Sequence, residues 1–170
     1  MAKKAVMIIA SNGFRDEEFK VPHLVLEDNG VKVTIASSSL STSRGILGTR
    51  INPDILIGDI KAKDYDAIIF VGGAGSQEYW DEPIAHNIVK EAVKQNKVLA
   101  AICIAPIILA NAGVLKGKRA TVWSSEIKRL KTQGAVYVAE PVAVDGKIIT
   151  ANGPTSSSLF ADKILEALGQ

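Results

Sequence analysis

Lys97-Val98-Leu99-Ala100-Ala101-Ile102-Cys103-Ile104-Ala105-Pro106 carries the only cysteine of the 170-residue chain at the end of an apolar run. Val98 to Ile102 reads as a strand buried on both faces, the kind found inside a parallel sheet. A helix-like segment, Ile107 to Asn111, follows at once, and Gly113 is placed to end it. A strand that turns sharply into a helix aims its turn residue at the open edge of the sheet, beside the free N–H groups of the helix N-terminus. A free cysteine often packs as a small hydrophobe. At a strand–turn–helix junction Cys103 reads instead as a nucleophile, because those N–H groups favour the thiolate. The same placement predicts a thiol pKa below the unperturbed value of about 8.5.

The same kind of run recurs on either side. Ala5 to Ala10, Val31 to Ala36 and Asp66 to Val71 read as further strands. Glu17 to Asp28, stopped by Asn29-Gly30, is helix-like, with Phe19, Leu24 and Leu26 among its apolar positions. Pro83 to Gln95 is a second helix, with proline in its first turn. Gly153-Pro154 starts a final helix, Thr155 to Leu168, with Leu159, Ile164, Leu165 and Leu168 on its buried side. Strands alternating with helices specify an α/β sandwich: a mostly parallel sheet with helices on both faces. Two regions break the rhythm. Ser37 to Gly58 is rich in Ser, Thr and Gly and reads as a small hairpin or irregular excursion. Asp145-Gly146, between Val142-Ala143-Val144 and Lys147-Ile148-Ile149-Thr150, is a hairpin signal and predicts an antiparallel edge.

The whole chain, residues 1–170, has the length of one domain, and no repeat or linker divides it. It is 47% hydrophobic and 22% charged with a net charge of +2, so no nucleic-acid or membrane-surface footprint is expected. A single cysteine forbids an internal disulfide and fits a reducing compartment. Ala5 to Ala10 is too short to span a membrane, and the polar residues after it carry no cleavage pattern; the expected location is cytoplasmic.

Three groups of residues invite chemistry. Gly72-Gly73-Ala74-Gly75 follows a strand and reads either as a tight βα turn or as a source of N–H groups aimed, with that of Ile104, at the Cys103 sulfur as an oxyanion hole. Neither dinucleotide nor P-loop spacing is present. Arg15-Asp16-Glu17-Glu18 opens the first helix. Helix capping is the default reading for Asp16 and Glu17, and one carboxylate is free to point over the sheet edge as a proton carrier. The two histidines, His23 and His86, both precede Cys103 and read as surface or partly packed residues. No spaced His/Cys cluster suggests a metal, and no motif suggests a cofactor.

With these pieces in view the chain resembles the ThiJ/PfpI superfamily over nearly its whole length. The resemblance rests on Ala5–Ala10, Glu18-Phe19-Lys20-Val21-Pro22, Asp66–Gly73, the Ala100–Pro106 elbow, Val144–Thr150 and Asn152-Gly153-Pro154. It implies a flavodoxin-like fold and a homodimer or higher homo-oligomer. It further implies Cys103 as nucleophile, Glu18 as a protonated carboxyl beside the sulfur, and the Gly73 and Ile104 N–H groups as the oxyanion hole. The chain departs from the pattern where PfpI-type members carry histidine directly after the cysteine, here Ile104. It departs again where deglycase-type members carry histidine, here Trp123-Ser124-Ser125. Ala105 replaces the usual glycine before the proline.

The function so implied is that of a cofactor-free glyoxalase or deglycase acting on small 2-oxoaldehydes such as methylglyoxal, or on their adducts. Cys103 attacks the aldehyde carbon, and Glu18 moves the proton between carbons and oxygens before hydrolysis. A redox-responsive protein using the same cysteine is the alternative. A PfpI-type cysteine peptidase is disfavoured by the missing histidine.

Overall fold

Every residue from Val98 to Ile102 is buried, and this strand sits inside the sheet. The computed structural model describes residues 1–170. The strands are β1 (Lys4–Ile8), β2 (Asn12–Phe14), β3 (Lys32–Ser37), β4 (Ser43–Gly45), β5 (Arg50–Ile51), β6 (Ile55–Leu56), β7 (Ala67–Phe70), β8 (Val98–Ile102), β9 (Arg119–Ala120), β10 (Val136–Tyr137), β11 (Val142–Asp145) and β12 (Ile148–Ala151). The helices are α1 (Asp16–Asp28), α2 (Pro83–Lys94), α3 (Pro106–Asn111), α4 (Ile127–Thr132) and α5 (Ser157–Leu168).

The main sheet has seven strands in the order β11-β12-β8-β7-β1-β3-β6. All neighbours are parallel except β11 and β12, the expected Asp145-Gly146 hairpin. Alternate side chains face opposite layers. Val6, Ile8, Ile68, Phe70 and Leu99 pack with α2 and α3. Ala5, Met7, Ile69, Ala100 and Ile102 pack with Phe19 and Leu26 of α1 and Phe160 and Ile164 of α5. This is the flavodoxin-like sandwich expected from the alternation and the resemblance. No helix is long and apolar enough to cross a membrane.

One burial assignment fails: Leu159, expected on the buried side of the final helix, is 41% exposed, and the apolar Leu24 of α1 is 61% exposed. The buried stripe of α1 runs through Phe19, Pro22 and Leu26, and that of α5 through Phe160, Ala161, Ile164, Leu165 and Leu168, so each leucine falls outside it. The short helix α4 was not foreseen; Leu130 is its one buried residue and leaves almost no periodic signal.

The Ser37–Gly58 excursion is the predicted hairpin, β4 with β5, and it joins β2 in a small side sheet. Asp16 anchors it. Its carboxylate accepts the Leu47 N–H at 2.7 Å and the Thr49 N–H at 2.9 Å. A side chain at Gly45 would overlap that carboxylate. Asp16 therefore organises the hairpin rather than capping α1, whose N-cap residue Arg15 makes no side-chain cap. Burial opposes its charge, but the bonds from Thr49 and Leu47 outweigh that and hold the carboxyl below its usual range. Asp16→Ala strands both N–H groups and is expected to cost about 1–3 kcal/mol, read as a lower midpoint in chemical unfolding. Because the folded pKa is depressed, this contribution is present at neutral pH and disappears as pH falls below the ordinary aspartate value.

Candidate active site

β1, β7 and β8 end side by side, and the segments that leave them build one cleft. β8 runs into Cys103, whose φ is +65°, a left-handed conformation uncommon in non-glycine residues and imposed here by the tight turn into α3. The elbow is pinned on both sides: the Cys103 N–H donates to the Ala151 carbonyl at 2.9 Å, and the Trp123 N–H donates to the Cys103 carbonyl at 2.8 Å. Cys103 is 9% exposed.

β7 runs into Gly72 and Gly73. Gly72 lies where the Glu18 carboxyl, the Ile102 carbonyl and the Cys103 Cβ converge, and any side chain there would collide with all three. Gly73 has φ of +102° and is walled in by the backbone of Gly13, Phe14 and Arg15. The Arg15 N–H donates to the Gly72 carbonyl at 2.9 Å, tying this turn to the start of α1. The N–H groups of Gly73 and Ile104 both face the Cys103 sulfur and favour its charged form. The structure thus brings together all four expected residues: Cys103, Glu18, Gly73 and Ile104.

Glu18 is fully buried on the first turn of α1. Pro22, four residues on, has no N–H to return to the Glu18 carbonyl. Neither carboxyl oxygen has a partner at strict hydrogen-bond geometry; the Cys103 thiol and the Gly72 N–H are the polar groups that act on it at longer range. Burial raises the carboxyl pKa to about 8, so Glu18 holds a proton at neutral pH, as expected.

The expected lowering of the thiol pKa does not occur. Burial, then the charge of Glu18, push Cys103 up to about 12 against the opposing N–H groups of Gly73 and Ile104. Enclosure outweighs the two donors, and α3 is only six residues long. At neutral pH the charge of Glu18 is absent, so the resting pair is a thiol beside a carboxylic acid.

The cleft above the sulfur has a volume of about 270 Å³ and is lined by Arg15, Ile46, Gly73, Ala74, Gln77, Cys103, Ile104, Trp123, Ser125, Glu126 and Pro154. Arg15 is held in a two-pronged pair with Glu17 at 3.0 and 2.9 Å, so Glu17 is its partner rather than a helix cap. Neither histidine lines the cleft. His23 stacks on Phe19 and pairs with Glu27 at 2.7 Å; His86 bonds the Trp80 carbonyl at 2.7 Å. Gln77 and Glu126 escaped the sequence reading, because nothing local to either residue marks it as facing a cysteine so distant in the chain.

Comparison with known proteins places these features in company. Residues 3–167 match the model of the DJ-1/PfpI family. The chain is 44% identical over 168 residues to an uncharacterised protein of Methanocaldococcus jannaschii, covering 97% of this chain and 82% of that one. It is 30% identical over 166 residues to a glutathione-independent glyoxalase of Caenorhabditis elegans, covering 98% of this chain and 89% of the relative. It is 30% identical over 149 residues to a deglycase of Thermococcus kodakarensis, covering 88% and 90%. Among solved structures, a ThiJ/PfpI domain protein from Brachyspira murdochii superposes with a TM-score of 0.96 at 32% identity, covering 99% of this chain and 97% of that one.

The raised carboxyl has a measurable sign. A buried acid whose folded pKa lies above its unfolded value destabilises the fold as it ionises. The Glu18 contribution is expected to be full below pH 4.5 and to decline up to about 8, the range in which the unfolded chain sheds a proton that the fold still holds. Glu18→Gln should remove that decline. It should also lower the pH at which the thiol is alkylated, since the neighbouring charge that raises Cys103 is gone. An alkylation profile identical in the two proteins would separate Glu18 from the sulfur.

Proposed function

The chain belongs to the DJ-1/PfpI family, and from that premise we propose that it is a cofactor-free glyoxalase of the cysteine type, acting on small 2-oxoaldehydes such as methylglyoxal or their adducts. The observation that carries the proposal is a lone thiol on a strained elbow, opening into a cleft, with a protonated carboxyl beneath it. Relatives named glyoxalase and deglycase at 30% identity support the same chemistry.

In this reading Cys103 Sγ adds to the aldehyde carbon, C1. The thiol proton passes through the Glu18 carboxyl to the new alkoxide, giving a hemithioacetal and returning Glu18 to its acid form. The Gly73 and Ile104 N–H groups bear the charge while it develops on oxygen; one such donor is typically worth about 3 kcal/mol. C1 is then oxidised as the neighbouring carbonyl carbon, C2, is reduced, and a thioester results. Water adds to C1, its proton returns through Glu18 to the departing sulfur, and the hydroxy acid leaves. Methylglyoxal and water give lactic acid with no external oxidant.

Peptide hydrolysis fits the site less well. It needs a base for the nucleophile and an acid for the leaving amine, and no histidine lines the cleft. A homodimer is the assembly this reading expects, with the exposed Leu24 on α1 as an apolar side chain for it to cover.

Purified protein is expected to convert methylglyoxal to lactate, and Cys103→Ala to abolish the conversion. Peptide substrates should stay at background in both. Turnover that survives Cys103→Ala sinks the nucleophile; peptide cleavage that depends on Cys103 reverses the ranking. A role as redox sensor without turnover predicts no lactate at all.

A further inference from the structure

One step of the glyoxalase reading, the transfer of hydrogen from C1 to C2, was expected of Glu18 and needs a group that reaches both carbons. After the hemithioacetal forms, the hydrogen on C1 must leave as a proton and a proton must arrive at C2. C1 is bonded to the sulfur at the floor of the cleft, and C2 lies one bond further out. Glu18 is fully buried below the floor and is not part of the cleft wall. Of the residues that form the wall, Arg15 keeps its proton at any working pH, and Gln77, Trp123 and Ser125 do not titrate. Glu126 is the only carboxyl group that lines the cleft.

Its position is built rather than incidental. The Trp123 N–H is fixed to the Cys103 carbonyl at 2.8 Å, and the Glu126 N–H is fixed to the Trp123 carbonyl at 2.9 Å, so two backbone bonds tie this turn to the elbow. The carboxylate is oriented at both oxygens: Arg129 Nε donates at 2.9 Å and Ser125 Oγ at 2.8 Å. The side chain is 17% exposed while Arg129, behind it, is 64% exposed, so the base is sheltered and its counter-ion faces water.

We propose that Glu126 is the carbon acid–base residue of this enzyme: its carboxylate removes the C1 proton of the Cys103 hemithioacetal and returns it to C2. The inference rests on the glyoxalase reading. The step balances within the substrate. The C1–H bond breaks onto Glu126, and its electron pair forms the C1–C2 double bond of an enediolate with charge on the C2 oxygen. The C1 hydroxyl proton moves to that oxygen, and the new C2–H bond forms from the Glu126 proton, leaving a C1 thioester, a C2 alcohol and an ionised Glu126. A carboxylate fixed on one wall delivers that proton to one face of C2, so the product is a single enantiomer.

The test uses methylglyoxal with wild type, Glu126→Gln, Glu126→Asp and Cys103→Ser. Chiral chromatography reads the lactate, and intact mass reads the adduct on Cys103. Wild type is expected to give one enantiomer, and Cys103→Ser neither adduct nor product. Glu126→Gln should keep its unfolding midpoint and still form the adduct, yet lose lactate production by roughly 10²-fold or more. Its residual lactate should be a mixture of enantiomers, because water protonates C2 from both faces. Glu126→Asp, which keeps the charge, should restore one enantiomer at a reduced rate. Glu126→Gln lactate of unchanged handedness at near wild-type rate overturns this inference and leaves the glyoxalase reading standing. Wild type that makes no lactate overturns both.

Discussion

The absence of a side chain at Gly72 is the constraint on which the site depends. Three groups meet at that backbone: the Glu18 carboxyl from α1, the Ile102 carbonyl that ends β8, and the Cβ of Cys103. A methyl group in that space would force the carboxyl away from the sulfur or push β7 and β8 apart. The pair can share a proton only because two adjacent parallel strands end in this way, one in glycine and the other in the elbow. The neighbouring turn is closed just as tightly, since Gly73 and Gly75 press on the backbone between Asn12 and Arg15. The glycines therefore serve close packing first, and one of them also turns its N–H toward the sulfur.

Electrostatics then divides the cleft into a floor and a rim. On the floor burial dominates, and both titrating groups are kept neutral. At the rim charges occur only as neighbouring pairs, Arg15 with Glu17 and Glu126 with Arg129. A neutral floor suits an uncharged aldehyde, which enters without displacing a counter-ion. Paired rim charges hold their side chains in place at little net field, which favours orientation over attraction.

Much of this was legible in the sequence because the signals were local. A short, uninterrupted apolar run with β-branched ends reads as an inner strand, so Val98–Ile102 pointed to the sheet and Asp145-Gly146 to its antiparallel edge. Cys103 followed from its junction, whereas Glu18 was told apart from Asp16 and Glu17 only by the family resemblance. What escaped depends on contacts between distant segments. Asp16 looks like a helix cap, yet its partners Leu47 and Thr49 lie in a hairpin whose path no pattern specifies. The thiol was expected to be acidic because two donors were counted and the enclosure could not be. Glu126 sits in a polar, unremarkable stretch and gains meaning only because the Trp123 N–H before it bonds the Cys103 carbonyl. Leu159 shows the limit of reading apolar type as burial when a helix carries one leucine too many.

The walls of the cleft come from segments that begin at Arg15, Ile46, Gly73, Trp123 and Pro154. The single cysteine at their meeting point is nine-tenths enclosed. A reagent too large for the cleft reaches it only when some of those segments part. Their parting need not be the unfolding of the whole chain, because folded domains open in smaller cooperative units as well. The molecule thus has a built-in gauge: the denaturant dependence of labelling at Cys103 distinguishes fraying where β1, β7 and β8 end from collapse of both layers beneath them.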